Sequence, residues 1–527
     1  MLPGSAVTPF NAYAPDPNLW PPVADLSRLS RYLRGYKLHE GLHKELFEAS
    51  RDERAHGPYV VCNVARAIAR VIADRMVLET PRVTVADDDA VNEGLAAISE
   101  SSQLGRLLLR SLRGWVYRGD LVYKVMVRKL DQPRGPRTII GRVAQFFAGT
   151  KLGASEVIVQ EVLPGHWFPE WDPEDGGKLA SARVIWEVPS KRGADGQTTE
   201  WFQREEHHTP GLIENRLYIL RREQGTLGQR YQRNEIGLKT VERFASVPDK
   251  IATGIDEIPL VHVPNNETGE DLPWGKSEFA NDPGFETNQQ TLNERATDHR
   301  HMLRKWADPM IAVDTSYFTD EGTGQKTFDV YGHKALPIEQ GENPPRFVSV
   351  PLENYPQSDA EADKALQRIL WTVGISPESL GISKGGYPES GRAIRLRQAD
   401  TLNTVARKWV SFAPGLRQTL RLALLMVEAH GGGVETPAAE DLKIEHSYGL
   451  VQEERERLEE VALKQQLGFS DEHLVRETYP EWDDDAVQNE LQQRRNQRPQ
   501  FGAFGQSSPR NAEPEIEERA AALEDEG

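Results

Sequence analysis

The feature that most restricts how this chain can fold is a short β-rich insert set between two helix-forming segments. Residues 285–306 predict a helix with a narrow apolar stripe at Leu292, Ala296, Leu303 and Trp306, about 33 Å long at ~1.5 Å per residue. Residues 309–357 then carry strand-like runs (MIAVDTSYF, KTFDVYG, RFVSVPL) broken by Gly and Pro. A second helix follows, periodic at Ala362, Ala365, Leu366, Ile369, Leu370 and Val373. Two antiparallel helices with a β tip form a rod with too little surface to build a core of its own. Such a rod is stabilised by packing beside copies of itself, and closed rotational symmetry satisfies every copy equally.

The flanking sequence predicts an α+β chain. After a Pro-rich opening and a polar helical segment (1–57), Val64, Ile68, Val71, Ile72 and Met76 recur at helical spacing. Leu104, Leu107, Leu108, Leu112 and Trp115 mark another helix, closed by a Gly119-Asp120 turn before LVYKVMV. The runs VIVQEVLP, ARVIWEVP, RLYILRR and IPLVHVP make residues 121–264 mainly β. Beyond the second helix lies the loop SPESLGISKGGYPESG, then a long helix from about Arg392 to Glu428 with Pro414-Gly415 inside it, where a kink is expected. The last hundred residues read as polar and helical. From Asn496 onward, Pro, Gln, Ser, Glu and Ala dominate, a composition of disorder.

The balance of 63 Lys plus Arg against 81 Asp plus Glu, net −18, argues against a protein that grips DNA tightly. It is compatible with a conduit that DNA slides past, since each gripped phosphate releases counterions and strengthens binding. No run approaches the ~20 apolar residues of a membrane helix, and the opening MLPGSAVTPF has no signal-peptide pattern. A length of 527 residues accommodates two to four domains, and the single cysteine, Cys62, fits a reducing compartment.

Six blocks, in order, carry a family resemblance: YVVCNVARAIARVIADRMV, RGWVYRGDLVYKVMV, VLPGHWFPEWDP, IPLVHVPNNETGEDLPWGKSEF, SGRAIRLRQADTL and GFSDEHLVRETYPEWDDDAVQNELQQ. From about residue 59 to 495 the chain resembles the portal proteins of tailed bacteriophages, in the siphophage branch. Residues 1–58 and 496–527 match nothing in that pattern, and the early segment is more basic and aromatic than it. The resemblance implies a mixed β/α wing (1–283 with the long helix 391–430), a helical-hairpin stem (284–306 and 358–375) and a small α/β clip (307–357). It further implies a tunnel loop (376–390), a helical crown (431–495) and a tail (496–527). The implied assembly is a homo-oligomeric ring, commonly of twelve copies, at one capsid vertex of a virion assembled in the host cytoplasm. Double-stranded DNA would pass through it during packaging and ejection. Implied partners are the terminase large subunit, a head-completion or adaptor protein, and the major capsid and scaffolding proteins, with no membrane.

By position, Ser383, Lys384, Tyr387, Arg392 and Arg395 are the tunnel-loop candidates for touching DNA; the plainer reading of the cations, with Arg397, is solubility and helix pairing. On the first stem helix Arg295, Arg300, Arg304 and Lys305 are channel candidates, mixed with Glu286, Glu294 and Asp298. That mixture lets neighbours pair charges and leaves no continuous basic track. Stacking aromatics for single strands are missing from these helices, which favours duplex. In the clip, Tyr317, Phe318, Lys326, Phe328 and Tyr331 are candidates for partner contact.

Other motifs have bland readings. Gly381-Ile382-Ser383-Lys384-Gly385 fits G-x-S-x-G, but a hydrolase elbow follows a strand and opens a helix, whereas here a helix precedes and Pro388 follows. Gly322-Thr323-Gly324-Gln325-Lys326-Thr327 has Gln325 where a phosphate loop needs Gly-Lys contiguous, and reads as a hairpin turn. His299 and His301 fall on different helix faces, His207-His208 has no companion ligand, and Asp87–Asp89 and Asp483–Asp485 read as a turn and a helix start. The expectation is a non-enzymatic protein with no cofactor and no metal. The alternatives are another ring-forming capsid or connector component, or a serine hydrolase using Ser383.

Overall fold

The computed structural model describes residues 19–47, 58–86, 88–129, 155–175, 178–192, 198–222, 231–266, 273–279, 283–307, 310–314, 335–338, 346–348, 355–382, 396–446, 463–464, 470–478 and 484–497. The architecture is α+β. Helices are α1 (Leu26–Glu40), α2 (His43–Leu46), α3 (Val64–Met76), α4 (Asp89–Ser102) and α5 (Leu104–Arg118). They continue with α6 (Pro283–Ala307), α7 (Tyr355–Val373), α8 (Ala399–Ala429), α9 (Asp471–Thr478) and α10 (Asp484–Gln497). Strands β1 (Leu19–Trp20), β5 (Trp167–Trp171), β6 (Leu179–Arg192), β7 (Thr198–Thr209), β8 (Leu212–Arg222), β9 (Tyr231–Ile236) and β10 (Lys250–Ala252) make one sheet in the order β1-β9-β8-β7-β6-β5, with β10 also pairing β8. A second sheet is β11 (Leu260–Pro264), β3 (Asp120–Lys129) and β4 (Ser155–Val162), with β3 central and both neighbours antiparallel.

The largest core lies where α3, α4, α5 and α8 pack with this second sheet. α3 buries Ala65, Ile68, Ala69, Ile72, Ala73 and Met76, and Asn63 caps it by accepting a hydrogen bond from the Arg66 amide at 3.0 Å. α5 ends at Gly119, whose left-handed φ of +95° turns the chain straight into β3. α8 runs through Pro414 as one helix; Leu396 and Arg397 just before it are also helical, and residues 391–395 of the expected start lie outside the described residues. At Gly415 it passes so close to β11 that a Cβ would lie 2.4 Å from Val263 Cγ2.

α6 and α7 pack against each other and flank a three-stranded sheet, as the sequence expects of the insert. Its centre is β12 (Met310–Asp314), parallel to β13 (Ala335–Ile338) and antiparallel to β14 (Arg346–Val348). β13 was not anticipated; the expected run KTFDVYG and the turn 322–327 lie outside the described residues.

Residues 434–445 fall in the stretch that the resemblance assigns to a helical crown. Here Val434 and Leu442 enter the large core, and β15 (Lys443–Glu445) pairs antiparallel with β2 (Arg82–Thr84). α9 and α10 belong to a separate unit, residues 451–527, in which Val475, Val487 and Leu491 form a small core. Among the described residues no helix is long and apolar enough to cross a membrane.

Candidate functional site

Two of the six sequence blocks meet at the base of the helical hairpin. The Gly119-Asp120 turn packs backbone to backbone on Gly275-Lys276-Ser277: Asn265 N donates to Gly119 O at 2.7 Å, and Gly275 N to Asp120 Oδ1 at 2.9 Å. A Cβ on Gly275 would sit 2.1 Å from Gly119 O, so only glycine allows the approach. The buried Asp120 carboxylate also accepts from Tyr32 Oη at 2.7 Å and pairs with His262 Nε2 at 2.7 Å. Beside it Lys408 of α8, buried, contacts Glu278 and donates to Asn265 Oδ1 at 2.7 Å. Burial pulls the Lys408 ammonium below the usual lysine range against the raising effect of Glu278. This knot fixes the point from which α6 departs.

α6 is held on its inner side by a polar row. Gln289, Asn293 and Thr297, spaced i, i+4, i+8, are buried and face the extended segment 60–62. Thr297 Oγ1 accepts from Val60 N at 2.9 Å, Asn293 Oδ1 accepts from Cys62 N at 2.9 Å, and Gln289 Nε2 donates to Cys62 O at 2.7 Å. Asn293 Nδ2 meets His43 Nδ1 at 2.8 Å, while His43 Nε2 donates to Leu38 O at 3.0 Å. That arrangement needs the neutral ring, and burial holds His43 below the ordinary histidine range.

The outer side of the hairpin carries the charges. Arg295 lies within ion-pair distance of acids of its own hairpin, its Nε 2.8 Å from Glu361 and its Nη1 3.7 Å from Asp298, in a solvent-exposed pairing of small strength. His299 meets Asp359 at 3.0 Å. Arg300 and Arg304 are exposed; the Lys305 side chain lies outside the described residues. Leu303 is 42% exposed, and Trp371, on the outer face of α7, is 74% exposed. Position 371 falls off the buried stripe of Ala365, Ile369, Leu370 and Val373, and its exposed ring departs from the expectation that these helices carry no aromatic free to stack.

Ser383, Lys384, Tyr387, Arg392 and Arg395 lie outside the described residues, as do Tyr317, Phe318, Lys326, Phe328 and Tyr331. The described start of the loop is a 3-10 turn, Pro377–Leu380, where a hydrolase elbow requires a strand. Its root is tied down by hydroxyls: Thr401 Oγ1 accepts from Ser376 N and from Ser379 Oγ, each at 2.9 Å. Gly381 follows with φ +78° and no atom within 4 Å of where its Cβ would be. Asp88 caps the helix α4, accepting from Val91 N at 3.0 Å, so the acidic run read as a turn opens a helix. His208 is buried beside Glu206, which Lys124 also contacts. Burial acts to raise the Glu206 carboxyl, but His208 and Lys124 outweigh it and hold it down to about 2. Among the described residues no group of three or more His, Cys, Asp or Glu is placed to hold a metal ion.

No protein-family profile matches the chain, and no curated protein sequence does. Among solved structures it is similar to a chain from the neck of a native gene transfer agent (GTA) particle computed with C12 symmetry, at 13% identity and TM-score 0.37, covering 80% of this chain and 90% of that one. A chain from the virion of the native particle gives 13% identity and TM-score 0.37, covering 82% and 96%. A third, from the neck of the empty particle computed with C6 symmetry, gives 12% and 0.36, covering 79% and 89%. At these TM-scores the likeness carries no argument, and the functional reading rests on the residues themselves.

Proposed function

We propose that this chain is the subunit of a homo-oligomeric ring, a viral portal, through which double-stranded DNA is packaged and ejected. The observation that carries the reading is the hairpin: two helices with a small sheet between them, anchored toward the base, with Leu303 and Trp371 exposed among the described residues. Its exposed Arg300 and Arg304 stand beside internally paired Arg295 and His299, a sparse set of cations that contacts phosphate without gripping it. The protein would supply the conduit and a partner ATPase, the terminase, the energy. The sheet β12–β14 would be the docking end for that motor and then for a head-completion protein. Twelve copies would carry 12 × −18 = −216 charges, so assembly depends on ionic strength.

Electron microscopy of the purified protein tests this directly. Rings with a central hole wide enough for a duplex, about 20 Å, are the expected result. A monodisperse monomer at every concentration and salt tried would overturn it.

A further inference from the structure

The outer face of α1 carries an apolar stripe that the described structure covers only in part. Leu26, Leu29, Leu33 and Tyr36 follow 3-4-3 spacing and fall on one side of the helix. Leu26 is 41%, Leu33 54% and Tyr36 43% exposed, and Val23, one turn earlier, is 51% exposed. The opposite side of the same helix is its buried one, through Arg28, Tyr32, Gly35 and Leu38. With one side of the helix already packed on the fold, an apolar stripe on another side is a surface open to a further covering segment.

A cavity of about 410 Å³ adjoins the stripe, lined by Trp20, Pro21, Leu29, Ile185, Trp201 and Tyr231. It therefore joins one stripe residue, Leu29, to the place where the chain enters the fold at Leu19-Trp20. The sequence just before that entry, residues 1–18, contains Leu2, Val7, Phe10 and Tyr13 and no charged residue before Asp16. From Trp20 back to Tyr13 is a reach of up to about 23 Å at ~3.3 Å per residue. From Tyr13 to Leu2 is a further ~36 Å at most. The stripe from Val23 to Tyr36 is only about 20 Å long at ~1.5 Å per residue.

We propose that residues 1–18 fold back within their own subunit, seating Tyr13 in the cavity and laying Phe10 and Val7 along the stripe of α1. The four prolines of this segment suit an extended strap and not a second helix. The inference is independent of the ring reading, since it concerns one subunit.

The test is hydroxyl-radical footprinting of Leu26, Leu33 and Tyr36 in the full chain and in a chain lacking residues 1–18. Modification of Leu33 and Tyr36 is expected to rise at least threefold on truncation, and likewise in the full-length double variant Tyr13→Asp, Phe10→Asp, which keeps the test open should the truncated chain fold poorly. An isotopically labelled truncated chain mixed with a tenfold excess of unlabelled full chain should stay as reactive as it is alone. Equal rates in the full chain and in whichever variant keeps the native circular dichroism would overturn the proposal. So would protection of the labelled truncated chain by the full chain, which would place the segment on a neighbouring subunit or a second copy.

Discussion

Gly275→Ala tests whether the backbone knot at the base of the hairpin is as tight as its geometry states. The new methyl would lie 2.1 Å from Gly119 O, 2.4 Å from Asn265 N and 2.6 Å from Asn265 O, all backbone atoms that cannot swing aside. Relief requires separating the two segments, which strains a packed core by about 1–3 kcal/mol. It also lengthens the Asn265 N–Gly119 O and Gly275 N–Asp120 bonds, each worth about 1 kcal/mol. The expected loss is about 3–5 kcal/mol. Gly381→Ala is the control: φ there is +78°, but nothing lies within 4 Å of the added methyl, so only the left-handed backbone cost of about 1–2 kcal/mol applies. Urea denaturation followed by tryptophan fluorescence reads both through midpoint and slope. A Gly275→Ala midpoint no lower than that of Gly381→Ala would show that the knot yields, and the anchoring argument for α6 would fall with it.

Lys408→Met leaves Glu278 buried without its cation and should cost about 3–5 kcal/mol in the same assay, whereas Lys408→Met with Glu278→Leu should recover only part of that, because the buried Asn265 then loses the partners of its Oδ1 and Nδ2. His39, His43, His166, His208 and His446 are all held below the ordinary histidine value of 6.5, chiefly by burial. The unfolded chain therefore takes up protons that the folded chain refuses, so stability is full above about pH 6.5 and falls as pH drops below it. The urea midpoint should be lower at pH 5.5 than at 7.5, and His43→Gln, which keeps a donor for Leu38 O and an acceptor for Asn293, should flatten part of that slope. Glu206, depressed to about 2, contributes stability that persists from above its ordinary 4.5 down toward that value, so acid titration should show its loss as a second, lower step. Trp371→Glu should leave the monomer's denaturation midpoint unchanged, because the ring is mostly in solvent, yet lower the ring fraction seen by analytical ultracentrifugation.

Much of this fold is legible in the sequence where one residue pattern decides one element. α3 and α5 follow from their apolar spacing, the Asn63 cap and the Gly119 turn. β7 was not legible: Gln203, Glu205, Glu206 and His208 lie buried within it, and polar residues at buried strand positions erase the alternation that marks a strand. Their partners, Arg233 for Glu205 and Lys124 for Glu206, are distant in sequence, so the reason for burying them is invisible locally. The Gly119-Asp120 and Gly275-x-Ser277 blocks were visible separately, but their contact is made across 155 residues and only the fold reveals it. β13 escaped because four residues in a parallel pair carry almost no local signature. Trp371 is the reverse case: its position falls off the α7 stripe of Ala365, Ile369, Leu370 and Val373, so its exposure follows from the spacing although tryptophan is a residue usually well buried.

The hairpin argument itself changes once contacts replace spacing. From the sequence, the rod needs neighbouring copies for its stability as a whole. In the structure its base does not, because Phe285 and Leu292 of α6 and Ala365, Ile369, Leu370 and Val373 of α7 belong to the same core as α8. What remains for a neighbour is the outer surface, and there the charges are partly spent: Arg295 goes to Glu361 and His299 to Asp359 within one chain. Ion pairs between copies are thus fewer than residue types alone imply, while apolar anchors such as Trp371 are available, each worth about 2 kcal/mol if buried. Copies of net charge −18 repel at long range, and that repulsion is screened within about 8 Å at physiological ionic strength, whereas apolar contact is not weakened by salt. In the proposed ring, added salt should therefore promote assembly. A ring that dissolved as salt was raised would be held chiefly by ion pairs, and the assignment of apolar contact on the outer hairpin face as its seam would be wrong.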